Sequence, residues 1–140
     1  HPHEFGDMDY YTDIAAKAGC TNFTIDKTSD LYQLIASCDV LITCFSTVGT
    51  ETVYFHKPLV ILDHLKQDIM GYAAEGVAFQ STDAESLSKI LTGILNGTLQ
   101  IDRSRYETFI QKYAYRIDGK VAERCIEAIT SFVSRPDISR

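Results

Sequence analysis

The segment spanning residues 46–51, Ser-Thr-Val-Gly-Thr-Glu, carries the side chains best suited to bind a ligand. If a helix begins here, its first backbone N–H groups have no partner within the helix and can bind a phosphate. The hydroxyls of Ser46 and Thr47 can add hydrogen bonds. Glu51 lies one helical turn after Thr47, where its carboxylate suits the hydroxyls of a ribose. The spacing therefore predicts a nucleotide diphosphate site, with phosphate contacts at Ser46, Thr47, Val48 and Gly49 and a ribose contact at Glu51.

The flanking segments must form a scaffold that holds this turn. Residues 38–45 are a short apolar run rich in β-branched residues, which predicts a strand buried on both faces of a parallel sheet. A second apolar run at 59–63 follows Lys57-Pro58 and predicts another strand. Strand, turn, helix and strand form a βαβ unit. Its turn lies at the carboxyl edge of the sheet, where open α/β sheets bind their ligands.

A purely structural interpretation of the same turn stays open. Serine and threonine are also preferred helix N-caps, and Ser46 with Thr50, or Thr47 with Glu51, could simply start the helix. Gly49 favours the ligand interpretation slightly, since glycine inside a helix costs about 1 kcal/mol relative to alanine. That cost is easier to understand if another group must approach the backbone closely.

The rest of the chain alternates between helical and strand patterns. Predicted strands lie at 21–25 and 77–79, and predicted helices at 7–18, 29–38, 68–75, 83–95, 104–113 and 119–133. In the first helix, Tyr10, Tyr11, Ile14 and Ala15 should form the inner face. The pattern predicts an α/β fold: a three-layer, Rossmann-like domain with a mostly parallel sheet flanked by helices.

Composition narrows the class of protein. The 140 residues are 45% hydrophobic and 23% charged, which is typical of one globular domain. A net charge of −6 argues against nucleic acid as a partner. No apolar run reaches the roughly 20 residues of a membrane span. The cysteines Cys20, Cys38, Cys44 and Cys125 show no C-x-x-C spacing, so we expect reduced, mostly buried thiols and no metal site.

The strand Asp39-Val40-Leu41-Ile42-Thr43, the Ser46-Thr47 turn and the initial His1-Pro2 together resemble the donor-binding domain of GT-B glycosyltransferases. The similarity is to the branch that joins a His-Pro motif to a Ser-Ser/Thr motif, found in sialyltransferases, capsule transferases and polyol-phosphate transferases. The resemblance implies that His1 meets the donor phosphate and that Glu4 lies nearby. By their position after the second strand, at the same edge as Ser46, Asp63 and Asp68 are candidates to line the pocket, and a solvated loop is the alternative that stays open. No catalytic residue is assigned.

This resemblance implies the carboxyl-terminal half of a two-domain transferase, with residues 1–140 forming one domain and an amino-terminal acceptor domain absent. Its ligand would be a nucleotide-sugar donor, with no further cofactor, in cytoplasmic surface-polysaccharide synthesis. The resemblance also allows peripheral membrane association of the full enzyme. The domain alone should lack turnover, because the reaction cleft needs both halves. Three alternatives stay open: a CDP-glycerol type polyol-phosphate transferase, a UDP-N-acetylglucosamine 2-epimerase-like domain, and a flavodoxin-like binding or regulatory domain.

Overall fold

The computed structural model describes residues 8–133. The chain divides into two compact units, with the boundary between Leu34 and Ile35. The elements in chain order are α1 (Asp9–Lys17), α2 (Leu31–Ser37), β1 (Leu41–Thr43), α3 (Val48–Tyr54), β2 (Leu59–Leu62), β3 (Phe79–Ser81), α4 (Ala84–Leu95), α5 (Arg103–Tyr113) and α6 (Val121–Val133). The predicted α/β class is confirmed, as a small parallel sheet flanked by helices.

The sheet has the order β1-β2-β3, and both pairings are parallel. Leu41 pairs with Leu59, and Val60 with Phe79, so the carboxyl ends of β1 and β2 lie side by side. This order makes β2 the central strand of the described sheet, and its first three residues are buried. Strand β1 lies at an edge with Ile42 40% exposed, so the prediction that this strand is buried on both faces is wrong.

The core of the larger unit lies between β2, α3 and α5. Its buried side chains are Val53, Leu59, Ile61, Tyr72, Val77, Tyr106 and Phe109. Lys57 and Pro58 hold the starts of β1 and β2 together. Lys57 Nζ donates to the Cys38 carbonyl at 3.0 Å, and the Leu41 N–H donates to the Pro58 carbonyl at 2.9 Å. Helix α3, which ends shortly before Lys57, packs on β1 and β2.

The smaller unit, up to Leu34, differs from the sequence prediction in two ways. The segment 21–25 forms no strand, and none of the three described strands pairs with it. A β-strand is stabilised by hydrogen bonds to a neighbouring strand. The β propensity of residues 21–25 is therefore not sufficient to form a strand without such a neighbour. In α1, Ala15 is buried, but Tyr10 is 64% and Ile14 47% exposed, so the predicted inner face is largely wrong.

Residues 68–75 form a series of turns and not the predicted helix. Lys66, Asp68 and Gly71 have φ values of 56°, 41° and 72°. These left-handed conformations are incompatible with a right-handed helix. The connection from β2 to β3 is therefore irregular.

Several predicted helix boundaries are confirmed by their capping contacts. Asp30 Oδ1 accepts from the Gln33 N–H at 3.0 Å at the start of α2. Asp83 and Ser86 form a reciprocal capping box at the start of α4. That helix ends where predicted, at Asn96 followed by Gly97 with a φ of 77°.

The predicted burial of the thiols is wrong. Cys20, Cys44 and Cys125 are exposed, and only Cys38 is half-buried. Cys125 lies on α6, a helix with an apolar pattern but no buried residue among those described. The apolar surroundings of a cysteine in the sequence therefore did not determine its exposure.

We expect a thiol-specific colorimetric reagent to modify three thiols quickly without denaturant. Cys38 should react more slowly, because its half-buried Sγ donates to the Ile35 carbonyl at 3.3 Å. Denatured protein should titrate four thiols, and Cys38→Ser should leave the fast count unchanged. Fast modification of only one thiol in the native protein would contradict the exposures seen here.

Candidate functional site

The turn between β1 and α3 is held by its own hydrogen bonds. Ser46 Oγ accepts from the Val48 N–H at 3.2 Å, and the Ser46 carbonyl accepts from the Gly49 N–H at 3.1 Å. The Thr50 N–H donates to the Thr47 carbonyl at 2.8 Å. Thr47 is exposed, and its hydroxyl makes no cap hydrogen bond. The Ser46 side chain thus caps the helix, and the Thr47 side chain does not.

Gly49 is buried, and the group that approaches it is a side chain of the protein. A Cβ at this position would lie 2.6 Å from Tyr72 Cε2 and 2.8 Å from Tyr72 Cζ. The absence of a side chain at Gly49 is therefore needed for the packing of the Tyr72 ring. The close approach expected from the sequence exists, and it is made by Tyr72.

Glu51 lies one turn along α3 and is half-buried. Its Oε2 atom is buried and accepts no hydrogen bond among the residues that the structure describes. Burial raises the pKa of the neighbouring Tyr54 hydroxyl, and the charge of Glu51 and the presence of Tyr72 raise it further. A buried carboxylate oxygen without a donor is unusual, because it loses its hydration without compensation.

A pocket of about 180 Å³ opens at the carboxyl ends of β1 and β2. Its lining residues are Cys44, Phe45, Ile61, Leu62, Asp63, His64, Leu65, Asp68 and Ile69. Phe45 directly precedes the Ser46 turn in the chain, so the pocket begins where the turn begins. The two predicted lining residues, Asp63 and Asp68, are both present in its wall.

Asp63 organises the loop that forms one side of this pocket. Its carboxylate accepts from the Asp68 N–H at 2.7 Å, the Gln67 N–H at 3.1 Å and Gln80 Nε2 at 2.6 Å. These bonds, above all that from the Asp68 N–H, hold the pKa of Asp63 below its ordinary value, although burial acts in the opposite direction. The side chain is ionised and its oxygens are already engaged.

Asp68 has a different pattern of contacts. Its Oδ2 atom accepts from the Ala74 N–H at 2.7 Å, and its Oδ1 atom is buried without a hydrogen bond within residues 8–133. Asp68 has a φ of 41°, which is unfavourable for a residue with a Cβ. Asp68, which lines the pocket, therefore has one carboxylate oxygen, Oδ1, that accepts no hydrogen bond from the described residues.

The remaining predicted site residues are not brought into this pocket. Ser46, Thr47, Val48, Gly49 and Glu51 lie on the turn and helix beside it and are not part of its lining. His1 and Glu4 lie outside the described residues. Across residues 8–133 there is no cluster of three or more histidine, cysteine, aspartate or glutamate side chains that could hold a metal ion. The same stretch contains no helix with the length and apolarity needed to cross a membrane.

Sequence reasoning missed two residues of this region. Tyr72 contacts the turn from 26 residues away, where local patterns carry no signal. Phe45, 67% exposed at the pocket, lies two residues beyond the end of β1, although the apolar run at 38–45 predicts it within the strand.

Comparison with known proteins identifies the class to which this fold and turn belong. The chain belongs to the CDP-glycerol:poly(glycerophosphate) glycerophosphotransferase family, which it matches over residues 8–131. This membership supports the polyol-phosphate transferase alternative better than a transferase of sugars.

A curated relative is the teichoic acid ribitol-phosphate primase of Bacillus spizizenii, which is 30% identical over 123 residues. The matched part is 81% of this chain and 30% of the relative, so the chain spans less than a third of the relative's length. No solved structure matches the chain.

Proposed function

We propose that this chain binds the CDP-activated polyol phosphate donor of a transferase that acts in the synthesis of a cell-wall polymer. The family and the ribitol-phosphate primase relative support this donor class. The amino-terminal partner domain, the cytoplasmic location and the absence of a further cofactor remain predictions. Binding of a nucleotide-sugar, the first expectation from the sequence, is the competing donor class.

The nucleotide would lie across the turn and helix α3. The phosphates would meet the hydroxyl and the backbone N–H of Thr47, because the Val48 and Gly49 N–H groups already donate to Ser46. The ribose would meet Glu51. The observation that carries this proposal is the buried Glu51 Oε2, which has no donor among the described residues. A ribose hydroxyl can supply that donor once the neighbouring side chains adjust.

The polyol would extend from the phosphates into the pocket that begins at Phe45. Its hydroxyls are donors, and Asp68 Oδ1 is an acceptor without a partner in the described part of the chain. Asp63 would act indirectly, because its oxygens already hold the loop. His1 would meet the donor phosphate and Glu4 would lie nearby, as the resemblance implies.

Isothermal titration of the 140-residue chain with CDP, CDP-glycerol, CDP-ribitol, UDP and UDP-N-acetylglucosamine tests this proposal. We expect CDP and its polyol derivatives to bind, and the polyol derivatives to bind at least as tightly as CDP. Binding is the proper measurement because it tests the donor assignment without requiring turnover.

Asp68→Asn is the variant that tests the polyol contact. It should reduce the advantage of CDP-glycerol over CDP and leave CDP itself unchanged. Tighter binding of the UDP-sugar than of any CDP compound would overturn the donor assignment in favour of a sugar transferase. Absence of binding by every nucleotide, with the chain folded, would overturn the proposed function itself.

A further inference from the structure

Tyr72 contacts the Ser46 turn at three points. Its ring lies against Gly49, its hydroxyl is 3.1 Å from the Ser46 carbonyl oxygen, and the Thr50 hydroxyl is 3.0 Å away. The side chain is 1% exposed and belongs to the core cluster around Val53. A rigid core residue therefore supports the turn from behind.

The direction of these hydrogen bonds follows from the single proton of the hydroxyl. The Ser46 carbonyl is an acceptor only, so the Tyr72 O–H donates to it. The Thr50 hydroxyl then donates to the Tyr72 oxygen. The Ser46 carbonyl also accepts from the Gly49 N–H, so it is held toward the protein interior by two donors.

This orientation determines where the next N–H group points. The Ser46 carbonyl and the Thr47 N–H belong to one planar peptide unit, and in a trans peptide they point in opposite directions. Because the carbonyl points to Tyr72, the Thr47 N–H points away from it. Within the described residues, no hydrogen bond is made by this N–H.

We propose that Tyr72 is a positioning residue, whose hydroxyl holds the Ser46–Thr47 peptide so that the Thr47 N–H faces the phosphate of the donor. The inference rests on the proposed function, because it assumes that a phosphate binds at this turn. It adds a residue that touches no ligand and acts through the backbone.

Tyr72→Phe tests this role, since it keeps the ring against Gly49 and removes only the hydroxyl. We expect titration calorimetry to show a loss of CDP affinity of about three- to tenfold, the size expected when one hydrogen bond is lost. The affinity for cytidine, which has no phosphate, should stay within about twofold of the unchanged chain.

Tyr106→Phe is the matched control. Tyr106 is a buried tyrosine of the same core cluster, and its hydroxyl bonds the Lys57 carbonyl at 3.4 Å, away from the turn. This variant should bind CDP and cytidine as the unchanged chain does, while thermal melting reports whether both variants remain folded.

The possible outcomes separate the two proposals. If the unchanged chain binds CDP and Tyr72→Phe binds it equally well, the positioning role is wrong and the proposed function stands. Equal losses for CDP and cytidine would also overturn the positioning role, because they would show a general structural effect. If the unchanged chain binds no nucleotide, the proposed function fails and the positioning role fails with it.

Discussion

Glu51→Gln should weaken the binding of CDP and of cytidine by about ten- to a hundredfold. A charge-assisted hydrogen bond from a ribose hydroxyl is worth about 1.5–3 kcal/mol, and each 1.4 kcal/mol is about tenfold in affinity. The loss should be similar for both ligands, because Glu51 would touch only the sugar. Isothermal titration with CDP and cytidine measures it directly.

The stability of the same variant separates a ligand-binding glutamate from a structural one. Glu51 Oε2 has no donor in the described part of the chain, so the neutral side chain should leave the melting temperature unchanged or raise it. A glutamate that merely supports its helix would show lower stability and no selective loss of ligand.

Two further variants complete this test. Ser46→Ala combined with Thr47→Ala should weaken CDP and leave cytidine nearly unaffected, since it removes the Thr47 hydroxyl proposed to meet the phosphate and the Ser46 hydroxyl that holds the turn. Glu85→Gln removes a carboxylate that pairs with Lys89 on the exposed surface of α4, and it should change neither affinity. Unchanged affinities in Glu51→Gln, with the protein folded, would refute the ribose contact.

Gly49→Ala should lower the free energy of unfolding by about 1–3 kcal/mol, the usual cost of adding a methyl group to a packed core. The new Cβ would lie 2.6 Å from the ring of Tyr72, which is fully buried and has little room to move. Alanine gains up to about 1 kcal/mol in helix propensity over glycine, so the steric cost should exceed this gain. Urea unfolding followed by circular dichroism measures the difference.

A double-mutant cycle with Tyr72→Leu identifies the cause of that loss. If the ring is the obstacle, Gly49→Ala should cost much less in the Tyr72→Leu background than in the unchanged chain. Additive losses in the double variant would show that the glycine is needed for a reason other than the Tyr72 ring.

The amino-acid sequence by itself determined the strands and the helix around the Ser46 turn and the start of two further helices. The β-branched run before Ser46 predicted β1, the apolar run after Pro58 predicted β2, and the segment between them predicted α3. These predictions succeed because the pattern of apolar residues within a short segment distinguishes a strand from a helix. Asp30 and Asp83 marked two helix starts, since a capping side chain acts on N–H groups only a few residues away. The same local reasoning placed Asp63 and Asp68 at the edge of the sheet where a cavity opens, because the carboxyl ends of parallel strands meet at one edge. Their role toward a ligand stays a prediction.

Only the tertiary structure decided which groups approach one another over long separations. Tyr72 contacts the Ser46 turn, and its ring packs against Gly49. Both contacts depend on how the connection at 63–78 folds back over α3. Positive φ values at Asp68 and Gly71 are incompatible with the helix predicted at 68–75. The hydrogen bonds that the Asp63 carboxylate accepts from the Gln67 and Asp68 N–H groups offset the unfavourable backbone of Asp68. The exposure of β1 and of three cysteines depends on which other segments pack against them. The sequence of one segment does not specify those neighbours, so it does not determine burial.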